Sequence, residues 1–440
     1  MGPLPWVQQT FESPTSYPYP MIPKRILLKE TFLYAVSKTV PGFAGLASVI
    51  LFMRIIGAEQ YGQYSFLLSQ WYLIVAIGFG WLNQAQLRYY SKDNTFDDYK
   101  AGQIRAFAYS GLISVIVFSV LSIFQPRSIQ LWGISIISII SIGGFNYIKT
   151  FFQAKLEPKK VIWLTLGQSI LALSIPLGLY FLFQKNSFSI LMGVGISFLL
   201  MTIIFGLKKK VMKHFITDVS KPTKTGKIRV KKWFFYGGPL SIWFAAGLAF
   251  PFLDRFFINL YLPGETLGVY AGIQELLTRI FSITIFPLTL ALHPRIMNLW
   301  NDSKIREAIQ TIRWGIGVML GLAIVLCIVI WLFDTIIFNI LTMAIPQINS
   351  QYKSLLLPLL SAGFLWQFSF LTHKMLELKE KTHIMVVFLL ISLFINMVGN
   401  SMYIPHFGVQ ATANTAFVSA LVYCILTGIY SMMVMTKSKN

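Results

Sequence analysis

Charge is scarce in this chain. Asp, Glu, Lys and Arg together make up 12% of its 440 residues, about half the share in an ordinary soluble domain. Hydrophobic residues make up 55%. That balance excludes a soluble globular fold, and the usual arithmetic from length to domain count does not apply. Cysteine is nearly absent as well. Cys327 and Cys424 both lie inside apolar runs with no partner at CxxC spacing, so neither a disulfide framework nor a thiolate metal site is implied. No G-x-x-x-x-G-K-[ST] occurs, which excludes direct use of ATP through that loop. No cleavable signal sequence is expected in the first 23 residues, which hold six prolines and no apolar core of the required length. This arm (1–23) is expected to be disordered, and Met21, ahead of IPKRILLKE, would be a natural start in place of Met1 if the upstream residues are an extension.

What fills the chain is long apolar runs. A membrane-spanning helix needs about 20 mainly apolar residues. Twelve such runs are expected, at 31–53, 64–86, 106–124, 129–151, 161–183, 188–207, 234–258, 267–292, 314–333, 353–373, 384–404 and 409–434. The chain therefore reads as an all-α polytopic membrane protein. Its halves, 24–207 and 233–435, are separated by a basic linker at 208–232, and 436–440 form a short tail. The linker carries ten Lys or Arg against one acid, Asp218. Its Pro222, Thr223, Thr225 and Gly226 argue against one continuous helix.

A net charge of +21 would suggest nucleic acid if it formed a basic stripe among exposed aromatics. Here the cations sit in short loops between apolar runs. With both termini placed in the cytoplasm, 30 of the 37 basic residues fall on that side, as the positive-inside rule requires. The location expected from these residues is a membrane crossed many times. Nucleic acid is excluded as a partner, and membrane lipid is the surrounding medium.

The halves also repeat. Glu59-Gln60-Tyr61-Gly62-Gln63-Tyr64 and Glu265-Thr266-Leu267-Gly268-Val269-Tyr270 both read E-x-x-G-x-Y, each at the turn leading into the second helix of its half. Six spans per half is an even number, so the halves share orientation and should be related by a pseudo-twofold axis along the membrane normal.

These same residues carry a resemblance. Arg54-Ile55-Ile56-Gly57 followed by Glu59, Tyr61-Gly62 and Tyr64 is similar to the opening signature of bacterial polysaccharide flippases. Those O-antigen and capsule repeat-unit transporters belong to the multidrug/oligosaccharidyl-lipid/polysaccharide exporter superfamily. Asp254-Arg255-Phe256-Phe257-Ile258, then Leu267-Gly268-Val269-Tyr270-Ala271, resembles the family's seventh-span pattern. Gly408-Val409-Gln410-Ala411-Thr412-Ala413 resembles the start of its last span. The resemblance covers most of 24–435. It implies two six-helix lobes in a MATE-like V around a central cavity. It also implies alternating-access transport of an undecaprenyl-diphosphate-linked oligosaccharide, with polysaccharide assembly proteins as neighbours. No cofactor is implied; an H⁺ or Na⁺ gradient is the expected source of direction.

Ionisable residues inside spans are costly and default to functional candidates. Arg279 lies about 18 Å into the eighth span by helical rise. Glu275, four residues earlier, lies on the same face, where an i,i+4 pair forms. Guanidinium suits a diphosphate because it stays charged and grips phosphate bidentately. Lys38, early in span 1, either snorkels to the interface or adds a second cation. Asp254 and Arg255 are adjacent on one helix, do not face each other and so need separate partners; they are coupling or gating candidates. Arg88 and Lys149 stand at inner span ends, as orientation anchors or as a mouth for an anionic headgroup. Among aromatics and amides that suit sugars, span 2 offers Trp71, Tyr72, Trp81, Asn83 and Gln86, and span 11 offers Asn396 and Asn400. Of the histidines, His373 is the one expected to bear on proton coupling.

Two other classes remain open. A multidrug exporter of the same superfamily would show a cation-binding acidic lobe. A polysaccharide polymerase or ligase would carry Arg or His on a large outer loop, whereas the longest one, Asp334 to Tyr352, has neither.

Overall fold

The computed structural model describes the backbone of residues 24–93, 97–124, 128–155, 157–207 and 224–437. Side chains at 24–40, 91–93, 97–101, 124, 224–229, 286, 290, 294 and 435–437 are not among those described. The expectations for the N-terminal arm, for linker residues 208–223 and for the side chain of Lys38 thus lie outside the described residues.

Among the described residues every regular element is helical. In lipid a strand edge or open loop would leave backbone groups without partners, whereas a helix satisfies its own. In chain order the helices are α1 (Lys24–Asp93), α2 (Asp97–Phe124), α3 (Ile129–Ala154), α4 (Pro158–Leu182), α5 (Ser187–Gly206), α6 (Lys224–Tyr261) and α7 (Gly264–Thr284). They continue as α8 (Phe286–Asn301), α9 (Ile305–Ala344), α10 (Leu356–Thr372), α11 (Lys374–Leu378), α12 (Thr382–Phe407) and α13 (Val409–Lys437). Local chemistry sets several starts. The Ser128 hydroxyl accepts from the Leu131 amide and Asn186 Oδ1 from the Ser189 amide, which caps α3 and α5. Pro158 opens α4, where no amide donor is needed.

Eleven described stretches are long and apolar enough to cross a membrane, and the first, Pro41–Tyr90, runs for 50 residues. A straight helix of that length would be about 75 Å long, well over twice the hydrocarbon thickness. It folds back instead. Gly57 sits at φ 81, ψ 167, a region open to glycine and closed to residues with a Cβ. Phe52 and Tyr64, about 18 Å apart along a continuous helix, bring their ring centroids within 5.6 Å. The eleven stretches thus make twelve crossings. Gly57→Ala is expected to cost about 1–3 kcal/mol at this turn. A lower melting temperature and reduced membrane yield would show it, and an unchanged melting temperature would contradict it.

The structure refines three boundaries. The seventh span reaches back to Lys224, so Lys224–Lys232, read from sequence as linker, are the first turns of α6. The eighth span is two helices, α7 and α8, broken at Ile285 ahead of Pro287. The tenth is broken at His373 between α10 and α11.

The halves meet along a cross-paired seam. The first crossing of α1 lies against α7: Met53 Cε would be 3.3 Å from a Cβ on Gly272. Its second crossing lies against α6. There Ser241 Oγ donates to the Ala76 carbonyl at 2.7 Å, and Phe66 stacks on Phe252 at 5.8 Å. Span 1 on span 8 and span 2 on span 7 are the contacts that a twofold axis would exchange. The side where residues 208–223 join α5 to α6 is called the linker side below, and the opposite one the far side.

On the far side the repeated motif forms the seam. A Cβ on Gly62 would stand 2.7 Å from the Gly268 nitrogen, and one on Gly268 would overlap the Ala58 carbonyl oxygen. The two motif glycines therefore let the helix backbones touch where the halves close. Beside them, Arg54 donates to the carbonyls of Met343 and Ala344 at the end of α9, where unmet helix carbonyls favour a cation.

Candidate functional site

Below that closure lies a cavity of about 550 Å³, lined by both halves. The first crossing of α1 gives Gly45 and Ser48, and the second gives Tyr61, Tyr64, Ser69 and Tyr72. From the other half come Asp254, Arg255, Gln274, Glu275, Thr278 and Arg279, with Trp366 and Gln367 from α10. Arg279 stands fifteen residues after Gly264, about 22 Å along α7 and slightly past mid-membrane. Thr278 and Ser282 on this wall are exposed.

Two carboxylates border the cavity, and both are engaged. Glu275 takes Arg255 Nη2 at 2.9 Å on one oxygen and the Tyr61 hydroxyl at 3.1 Å on the other. Asp254 is buried and accepts four donors. The Tyr270 hydroxyl and Gln274 Nε2 reach Oδ2 at 2.8 and 3.1 Å, and Asn396 and Asn400 Nδ2 reach Oδ1 at 3.0 Å each. Saturation of both oxygens offsets the cost of holding that carboxylate away from water. As helix geometry requires, the neighbours Asp254 and Arg255 use different partners.

Arg279 differs from the pairing expected in sequence. Glu275 bonds across helices to Arg255 rather than along α7 to Arg279, because α6 brings a second guanidinium within reach. Among the described residues Arg279 makes neither an ion pair nor a hydrogen bond to protein. Its guanidinium lies on the backbone of α1 instead: a Cβ on Gly45 would be 2.6 Å from Arg279 Cζ. Two arginines and two carboxylates line the cavity: Arg255 pairs with Glu275, Asp254 is held by four neutral donors, and among the described residues Arg279 alone of the four has neither an ion pair nor a hydrogen bond.

That contact makes Gly45 a positioning residue. Gly45→Val should move the guanidinium at little cost in stability, because the displaced atoms end a flexible side chain. The transport that the resemblance implies should fall markedly while the melting temperature holds; unaltered transport would contradict the assignment.

The other candidates lie elsewhere. Trp71 is fully buried in the core, and Asn83 is half-buried; neither lines the cavity. Arg88 sits at the linker-side seam with its guanidinium 4.4 Å over the Tyr236 ring. His373 is buried inside the second half, with Nδ1 3.2 Å from the Tyr423 hydroxyl and the Trp243 and Phe370 rings around it. Sequence reasoning passed over Tyr61, Gln274 and Gln168 as cavity residues. The first two had a signal in their spacing, since Tyr61 starts the motif helix and Gln274 is one turn before Thr278 on the Arg279 helix.

Residues 27–300 match the family described as polysaccharide biosynthesis protein, and residues 239–402 match the MatE family. No curated protein matches the sequence. Among solved structures, the fold is similar to the inward-facing conformation of a multidrug resistance MATE family transporter of the MOP superfamily. That pair shares 13% identity over 93% of this chain and 96% of the other, at TM-score 0.66. The outward-facing conformation of such a transporter matches at 0.60, with 13% identity over 92% and 96%. A MOP superfamily transporter from Pyrococcus furiosus, described as having a binding pocket of reverse polarity, matches at 0.63 with 13% identity over 95% and 97%.

Proposed function

The chain belongs to the polysaccharide biosynthesis protein family, and from that premise we propose that it is a flippase for undecaprenyl-diphosphate-linked oligosaccharide repeat units. It is a multi-pass membrane protein and a transporter of the MOP superfamily. On the proposed reading the linker side is cytoplasmic, the membrane is the bacterial inner membrane, and the cargo serves O-antigen or capsule assembly.

One observation carries the reading: of the cavity's four charged side chains among the described residues, the Arg279 guanidinium is the one with neither an ion pair nor a hydrogen bond. A sugar-diphosphate head cannot enter hydrocarbon unaided, because each unpaired charge there costs several kcal/mol or more. A cationic fork at mid-membrane replaces part of its hydration. The hydroxyls of Tyr64, Tyr72 and Ser69 and the amide of Gln367 supply hydrogen bonds of the kind sugars need. The polyprenyl tail stays in lipid while its head moves between the halves. No bond is made or broken, so the protein acts as a transporter and not as an enzyme.

The MatE match favours a second reading, multidrug export. A lipophilic cation would seek a carboxylate oxygen free to meet it, and all four oxygens of the two described cavity carboxylates already accept hydrogen bonds. Direction comes from an H⁺ or Na⁺ gradient in this scheme, with Asp254 the coupling carboxylate, since it is acidic, buried and next to the cavity.

Deleting the gene and analysing lipids and surface glycan tests the proposal. A flippase mutant accumulates complete lipid-linked repeat units facing the cytoplasm and loses surface polysaccharide. Normal glycan with altered drug tolerance would overturn it in favour of export.

A further inference from the structure

A second cavity, of about 450 Å³, lies away from the first, on the linker side where the halves join. Trp81, Arg105, Tyr109, Ile113, Val230, Lys231 and Phe234 line it. Its two cations come from different halves, Arg105 on α2 and Lys231 on α6. Each stands near the start of its membrane-spanning stretch, Gly102–Ile123 and Val230–Tyr261, the depth at which lipid phosphates lie. Among the described residues neither has a carboxylate partner; Lys231 Nζ lies 5.9 Å from the Phe235 ring.

The rest of the wall is apolar and faces outward. Tyr109 and Phe234 are 53% and 48% exposed, open to lipid rather than to the central cavity. Further along the same face of α2, Leu112 and Ile116 are exposed as well, continuing an apolar track towards the bilayer centre. Trp81 forms the floor against Phe234, with ring centroids 5.4 Å apart. Its indole N–H is buried without a hydrogen-bond partner among the described residues. Such an unmet donor in a cationic groove suits an incoming acceptor oxygen. Trp233, packed on the close approach at Gly102, fixes α6 against α2 and so fixes the groove.

We propose that this groove binds an anionic phospholipid of the linker-side leaflet, with its phosphate between Arg105 and Lys231 and an acyl chain over Tyr109, Ile113 and Phe234. Basic pockets between spanning helices on the cytoplasmic side take such headgroups. Because one cation comes from each half, the lipid binds best when the halves stand as described. It therefore stabilises this conformation against any in which the linker-side seam parts. The site depends on the proposed function only for naming the leaflet, since phospholipid binding does not require glycan transport.

The test is native mass spectrometry of the full-length protein titrated with phosphatidylglycerol or phosphatidylcholine. Two cations near the surface predict a preference of about 30-fold for phosphatidylglycerol. The pair R105Q/K231Q should lose it and R105K/K231R should keep it. Equal melting temperatures of these variants in phosphatidylcholine would establish that both are folded. A preference that survives R105Q/K231Q would overturn the site in favour of general attraction to a basic surface. A preference shown only towards a polyprenyl phosphate would overturn it too, assigning the groove to cargo.

Discussion

Arg279→Ala is expected to abolish glycan transport while leaving the protein folded in the membrane. The two halves of that statement rest on the same observation. Arg279 has no carboxylate partner among the described residues, so its removal strands no buried charge. Arg255→Ala, by contrast, would leave Glu275 partly buried and unpaired, a loss of about 3–5 kcal/mol in such settings. Removing a lone guanidinium from mid-membrane even relieves a desolvation cost. What disappears is the one cation at the cavity wall that has no partner among the described residues. Arg279→Lys should recover only part of the rate, since an ammonium offers a point charge and not a bidentate fork. Surface glycan and immunoblotted membrane protein, measured together, check the prediction. Full complementation by Arg279→Ala would remove this residue from the site.

The second large effect is expected at Gly268. A methyl group there would overlap the Ala58 carbonyl oxygen, which belongs to backbone and cannot swing aside. Gly268→Ala should therefore push the halves apart on the far side. Overpacking of this kind costs about 1–3 kcal/mol, enough to move a two-state equilibrium by about 5- to 150-fold. Cysteines placed by Glu59→Cys and Gly264→Cys report on the seam, because a Cβ on Gly264 would lie 2.9 Å from Glu59 Cγ. In a background lacking Cys327 and Cys424, this pair should cross-link readily with Gly268 present and poorly with Gly268→Ala, and transport should fall in parallel. Undiminished cross-linking would mean that the motif glycines do not set the closure.

Much of this architecture is legible in the residues themselves. Twelve apolar runs, the basic linker and the E-x-x-G-x-Y repeat suffice to give two six-helix halves. The repeat proves to be more than a mark of duplication, since its two glycines meet at the seam. That meeting cannot be read from sequence, because it depends on which helices the pseudo-twofold axis brings together. The same limit explains Glu275. Local spacing offers Arg279 as its partner, and only the packing of α6 on α7 puts Arg255 there instead. The separate partners of Asp254 and Arg255 follow from helical rotation alone, but two of the four donors gathered on Asp254, Asn396 and Asn400, come from a helix more than a hundred residues further along the chain. Trp71 and Asn83 were candidates by residue type. Residue type does not say which face of a helix looks into the cavity, and that face belongs to Tyr61, Tyr64 and Tyr72.

Translocation in proteoliposomes tests the role of Arg279 without the rest of the cell. The purified protein is reconstituted with a polyprenyl-diphosphate glycan whose sugar is open to an added glycosidase only in the outer leaflet. An H⁺ or Na⁺ gradient is then imposed. The glycan pool should exchange between leaflets far faster with the native chain than with Arg279→Ala or empty liposomes. Equal rates in all three, alongside gradient-driven movement of a lipophilic cation by the native chain, would contradict this expectation.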